Sequence, residues 1–217
     1  MFARADFRTV CRVFQRAIFA CVFVMFVGIR AAWAVDYTLT IVTPNSTTTF
    51  SFSLTAVGTF YVDCGDGGTL SGTVGTITPA ENKIERSNVS KGVYTCSWSG
   101  SGAKTVRLGG SASSYSTNSQ SSPISFQNYN QVASISGDLS EIFPNRGTGS
   151  GQYPYFYRMF YGCSNLTSIS ANLFAGYTRG GQYLFRETFY NCTGLKSIPS
   201  GLFSSIQNGV AYMFINT

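Results

Sequence analysis

Two stretches decide how this chain folds: Phe160-Tyr161-Gly162-Cys163-Ser164-Asn165-Leu166-Thr167-Ser168-Ile169 and Phe189-Tyr190-Asn191-Cys192-Thr193-Gly194-Leu195-Lys196-Ser197-Ile198. They share the pattern Phe-Tyr-x-Cys-x-x-Leu-x-Ser-Ile, and in each a Leu-Phe pair (Leu173-Phe174, Leu202-Phe203) follows after three intervening residues. A weaker copy precedes them, with Phe126, Tyr129, Val132, Ile135 and Leu139 at the matching places, and a fourth begins at Phe214 and breaks off at Thr217. Successive copies start 34, 29 and 25 residues apart, the range of stacked supersecondary units. A unit of that size buries its apolar face only against its neighbour. Residues 124–217 are therefore expected to form a short pile of like coils, incomplete at its C-terminal end. Phe160 and Phe189, Leu166 and Leu195, and Ile169 and Ile198 would lie inside it in successive layers.

Cys163 and Cys192 recur at a small inward-facing position of this pattern. A ladder of buried structural thiols is the expected reading, with a bridge between adjacent coils as an alternative. Metal ligation is disfavoured because two cysteines 29 residues apart, in a chain with no histidine, make a poor donor set. Outside the coil, Ser168, Ser170 and Ser197 flank the inward isoleucines and would line up as a polar row. Tyr155, Tyr157, Tyr161, Tyr183 and Tyr190 surround that row. Exposed tyrosine combines rigid apolar area with a hydroxyl and suits recognition; packing between coils is the equally open alternative.

Upstream, residues 35–110 alternate with a period of two. Phe50, Phe52 and Leu54 interleave with serines; Phe60, Val62 and Cys64 interleave with Tyr61 and Asp63; Tyr94, Cys96 and Trp98 interleave with Thr95 and Ser97. Such alternation marks half-buried strands, and Gly-rich turns at regular spacing point to a small antiparallel sandwich. Cys64 and Cys96 both lie on apolar strand faces. They form either a disulfide or two buried thiols, and export favours the disulfide. Between the two segments, residues 111–123 hold seven serines in thirteen positions. That composition reads as a flexible linker and domain boundary, the competing reading being one extended connection packed on the sandwich.

Residues 1–34 have the layout of a secretory signal peptide. Arg4, Arg8, Arg12 and Arg16 precede the apolar run Ala17–Gly28, and Ala32-Trp33-Ala34 supplies small residues for cleavage after Ala34. Twelve apolar residues are too few to span about 30 Å of hydrocarbon, so membrane contact is expected only through the cleaved leader. Of 15 basic and 9 acidic residues in the chain, the leader holds five and one, leaving ten against eight. These ten are scattered, which argues against a nucleic-acid partner.

Two resemblances follow from the motifs. Phe60-Tyr61-Val62-Asp63-Cys64-Gly65-Asp66-Gly67 and Gly102-Ala103-Lys104-Thr105-Val106-Arg107-Leu108 resemble the strand-and-turn signatures of polycystic-kidney-disease-type immunoglobulin-like domains. The register Phe-x-x-Cys-x-x-Leu-x-x-Ile, with Ile198-Pro199 after it, resembles the leucine-rich repeats of BspA-type bacterial surface proteins. The expected fold is mainly β, an immunoglobulin-like β-sandwich followed by a short leucine-rich-repeat solenoid. The resemblance implies an exported or surface-displayed protein engaged in adhesion, with a host or neighbouring-cell surface protein or glycan as partner.

The residues offer little for catalysis. No histidine is available as general base, and no phosphate loop, zinc signature or nucleophile elbow occurs. Asp63 and Asp66 form the one close carboxylate pair, and a Gly-rich turn explains them better than a calcium site, which requires more oxygens. Glu141 and Glu187 read as solvated charges. No enzyme activity, cofactor or metal is expected. The alternatives are a secreted carbohydrate-active enzyme or its binding accessory, with tyrosines stacking sugars, and a structural surface-layer component. A glycoside hydrolase, however, requires two carboxylates flanking a cleft.

Overall fold

Alternating apolar and polar residues become strands in the computed structural model, which describes residues 35–127, 130–146, 152–178 and 183–207. The leader, Tyr129 and the fourth copy at Phe214 lie outside the described residues. In chain order the strands are β1 (Leu39–Val42), β2 (Thr49–Leu54), β3 (Ala56–Asp63), β4 (Thr69–Gly72), β5 (Thr76–Thr78), β6 (Lys83–Arg86), β7 (Gly92–Ser97), β8 (Thr105–Tyr115), β9 (Ile124–Ser125), β10 (Ser134–Gly137) and β11 (Ser168–Ile169). Among the described residues strand outweighs helix by 33% to 4%, so the fold is mainly β. One sheet has the order β11-β10-β1-β8-β3-β6-β5 and the other β4-β7-β2-β9.

The two sheets share a core in the manner of a β-sandwich. Phe50, Phe52 and Leu54 from β2, Tyr94 and Cys96 from β7, and Phe60 and Val62 from β3 are all buried. Each such side chain contributes about 1.5–3 kcal/mol on leaving water. Cys64, just after β3 in the larger sheet, is disulfide-bonded to Cys96 on β7 in the smaller one, with Cα atoms 5.6 Å apart. The bridge thus ties sheet to sheet, and closing 32 residues of chain stabilises the fold by ~4 kcal/mol in the chain-entropy treatment. Trp98 is buried nearby, its indole N–H donating to the Gly65 carbonyl at 3.1 Å. Gly65, Asp66 and Gly67 all take left-handed φ values in a tight turn, and the Asp63 carboxylate accepts from the Gly65 N–H.

The flexible linker expected at residues 111–123 is not what the structure shows. Ser111–Tyr115 continue β8, which pairs with β3 from Asp63↔Arg107 to Ala56↔Tyr115 across a bulge at Val57/Gly58. Ala112 and Tyr115 point into the core. Beyond the strand, Ser116 N–H donates to Thr55 O, and Thr55 N–H donates to Pro123 O. Ile124–Ser125 then joins β2 as β9, the fourth strand of the smaller sheet. A serine-rich run is flexible when its backbone groups face water, and here the ladder satisfies them. Asp36–Thr217 accordingly form one compact unit.

The motif copies lie in register upon one another. The Phe126 and Phe160 rings stack at 5.4 Å and 15°, and Phe160 and Phe189 at 5.4 Å and 7°. Phe126 also meets Phe50 at 6.0 Å and Phe52 at 6.5 Å, so the column begins in the sandwich core. The N–H groups of Phe156, Arg158, Phe160 and Gly162 donate to the carbonyls of Leu184, Arg186, Thr188 and Tyr190 in the next copy. β10 of the first copy pairs antiparallel with β1 on one side and parallel with β11 on the other, aligning Ser134 with Ser168 and Ile135 with Ile169.

Leu166 and Leu195 are buried, at 0% and 7% exposure, and Ile169 at 4%. Ile198 corrects the expectation of an interior residue: it is 37% exposed. In the second copy Ser170 N–H closes the strand pairing by donating to Ile135 O. The equivalent position in the third copy is Pro199, which has no N–H to donate. The run around Ile198 forms no strand, and its side chain lacks the cover that β10 gives Ile169.

Candidate functional site

The chain turns sharply two residues before Phe160 and again two residues before Phe189. Arg158 and Glu187 stand at equivalent positions, 29 residues apart, and both take left-handed backbone, with φ of 54° and 56°. For side chains of this size that conformation costs roughly 1–2 kcal/mol, so its occurrence in both copies marks a constrained surface turn. The offset of 29 also sets Tyr157 against Arg186 and Tyr161 against Tyr190.

Side chains at these positions interlock. Tyr161 and Tyr190 stack at 4.7 Å with 4° between their planes. The Arg158 guanidinium lies 4.9 Å from the centre of Tyr157 and 4.8 Å from that of Tyr161. Arg186 lies 5.8 Å from both Tyr157 and Tyr183. Glu187 joins the two cations: one carboxylate oxygen accepts from Arg158 Nε at 2.7 Å, the other from Arg186 Nε at 3.2 Å. The arginine side chains are 36% and 41% exposed, whereas that of Glu187 is 11% exposed. Glu187 is therefore a largely buried bridge and not the solvated charge expected. Its hydrogen bond pushes Arg158 above the ordinary guanidinium range, with burial opposing. Ion pairs this exposed contribute about 0.2–1 kcal/mol each, and each cation–π contact about as much. The cluster is thus a preorganised surface and a minor source of stability.

The structure brings Tyr157, Tyr161 and Tyr190 together in this cluster. Tyr161 and Tyr190 pack on one another between copies while keeping partial exposure. Ser168 and Ser197 are exposed and Ser170 is half-buried; Ser168 belongs to β11, at the edge of the larger sheet. Arg158 and Arg186 were not singled out from the sequence. Subtracting 29 from each residue of the third copy would have found them, since it sets Arg186 over Tyr157 and Glu187 over Arg158.

Cys163 and Cys192 are buried free thiols and not a bridge between copies. Their sulfurs donate to Phe126 O at 3.3 Å and Phe160 O at 3.0 Å. Burial pushes the Cys192 thiol up to about 12 and Cys163 further in the same direction, so neither is a thiolate nucleophile near neutrality. Among the described residues no three His, Cys, Asp or Glu side chains gather as a metal site, and no helix is long and apolar enough to cross a membrane.

One open depression of about 360 Å³ lies over the bulge at Val57 and Gly58, beside Glu85, Arg86 and Ser113. Arg86 is committed to the fold: it is buried and donates to Ala56 O, Tyr94 Oη, Asn88 O and Ser90 O. The arginine and tyrosine face on the copies is the stronger candidate. Compared with protein-family models, with curated proteins and with solved structures, the chain gives no match.

Proposed function

We propose that this chain is an exported or cell-surface recognition protein without catalytic activity. In this reading an immunoglobulin-like sandwich of polycystic-kidney-disease type carries a short leucine-rich-repeat array of BspA type, and the array presents the binding face to a surface protein or glycan of a host or neighbouring cell. The observation that carries it is the interlocked face of Tyr157, Arg158, Tyr161, Arg186, Glu187 and Tyr190. Aromatic and arginine side chains held rigid and half-exposed are the composition of binding hot spots. Export is supported by the Cys64–Cys96 disulfide, since such bonds persist in oxidising compartments, and by the apolar leader.

The test is binding of the purified chain to glycan and surface-protein arrays, with a Tyr161→Ala/Tyr190→Ala variant beside it. Saturable binding that the double variant loses, while its thermal melt stays cooperative, is the expected result. Undiminished binding by the variant, or turnover of a polysaccharide by the parent, would overturn the reading.

A further inference from the structure

We infer that the ligand of this face is a uronate-bearing acidic polysaccharide, its carboxylates held on the outward edges of Arg158 and Arg186. The inference rests on the recognition reading above and narrows it to one chemistry. Each arginine has Nε bound by Glu187 and its guanidinium carbon over two tyrosine rings. Among the described residues no hydrogen bond reaches Nη1 or Nη2 of either one. What remains is the fork edge of a guanidinium whose orientation is already fixed. That edge matches a carboxylate with two parallel hydrogen bonds, and its prior immobilisation reduces the entropy lost on binding.

Charge and geometry then separate the ligand classes. Two arginines against one glutamate leave a net positive charge on the face, which selects an anion. Tyr161 gives one ring face to Tyr190 and meets Arg158 as well, so the central ring of the face is already stacked and leaves little for a neutral sugar. What a ligand meets is a row of ring edges, phenol groups and guanidinium edges. Arginine clusters also take acidic peptide motifs, so a charged peptide is the competitor that the experiment must separate from a sugar. A chain bearing hydroxyls on every residue and a carboxylate at intervals fits this row.

The experiment measures binding of the intact chain to polygalacturonate, alginate and hyaluronan, each beside its methyl ester, with polyglutamate as a charged non-sugar control. Expected is binding to at least one acid form that weakens roughly ten- to hundredfold on esterification, the range for loss of a charged hydrogen bond. Arg158→Lys, which keeps the charge but loses the fork, should weaken binding about tenfold or more; Arg186→Lys is the second variant should the first fold poorly. Equal binding of acid and ester, polyglutamate binding as tightly as the sugars, or full binding by both lysine variants would overturn the inference. If none of these probes binds while Tyr161- and Tyr190-dependent array binding persists, the inference falls and the recognition reading survives.

Discussion

The sandwich and the stacked copies solve the same problem in different ways. In the sandwich, backbone groups pair in long antiparallel ladders: β3 and β8 alone are joined over eight paired positions. In the copies the ladders shrink to β10 and β11, of four and two residues, and the backbone is satisfied by tight turns and by bonds from one copy to the next. Side chains of one copy also serve carbonyls of the preceding one. Cys163 serves Phe126, Cys192 serves Phe160, Thr188 serves Phe156 and Tyr177 serves Phe143. The sandwich is braced across its sheets by a covalent bond, whereas the copies depend on register. A slip between copies would break every one of these pairings together.

The largest effect should come where the two regions meet. Phe126 touches Phe50 and Phe52 on one side and Phe160 on the other. Phe126→Ala should cost about 5 kcal/mol, the upper end for deleting a buried aromatic ring. It should also split one unfolding transition into two, seen as fluorescence of Trp98 in the sandwich and circular dichroism of the whole chain no longer melting together. A variant that stays within 1 kcal/mol of the parent and melts as one would show that the regions do not communicate through this ring.

The disulfide sharpens the contrast from the other side. Replacing Cys64 and Cys96 together by alanine should cost ~4 kcal/mol in denaturant titration, against the smaller cost of about 0.5–1.5 kcal/mol for Cys192→Ala, which removes one of two donors to the Phe160 carbonyl and leaves it the Cys163 N–H. If the second substitution proved the more damaging, the copies and not the sheets would be the more tightly determined part.

Much of this contrast could be read from residues alone. The 29-residue offset foretold the Phe160–Phe189 stack, and strand alternation placed Cys64 and Cys96 each on the apolar face of its own strand. The junction was hidden for a physical reason. Ser111–Tyr115 is ordered by β3, about fifty residues earlier in the chain, and serine on the outward face of a pleat leaves no apolar signature. The pairing of β10 with β1 is equally non-local. Ile198 misled because its pattern matches Ile169 while the proline after it removes the donor that would have closed the ladder. Arg158 escaped notice and Glu187 was read as solvated because a charge in a turn usually faces water, and their partnership exists only once the copies are stacked.

The smallest effect is a pH dependence that should distinguish the copies. Burial raises the thiols of Cys163 and Cys192 above the ordinary 9.0, Cys192 to about 12. It also raises the phenols of Tyr177 and, at the junction, Tyr115 above the ordinary 10.0, Tyr115 to about 12. Well below pH 9 folded and unfolded chains both keep these protons, and the full stability is present. Between pH 9 and 12 the unfolded chain releases protons that the folded chain retains, so stability falls as pH rises. The melting temperature should therefore drop by several degrees between pH 8.5 and 10.5. Cys163→Ala and Cys192→Ala should flatten that slope, since each removes one group that must otherwise ionise on unfolding, while the Cys64/Cys96 pair, being oxidised, contributes nothing to it. A slope unchanged in both alanine variants would place the alkaline loss in the tyrosines alone, and the two thiols would then count for their packing and their carbonyl bonds only.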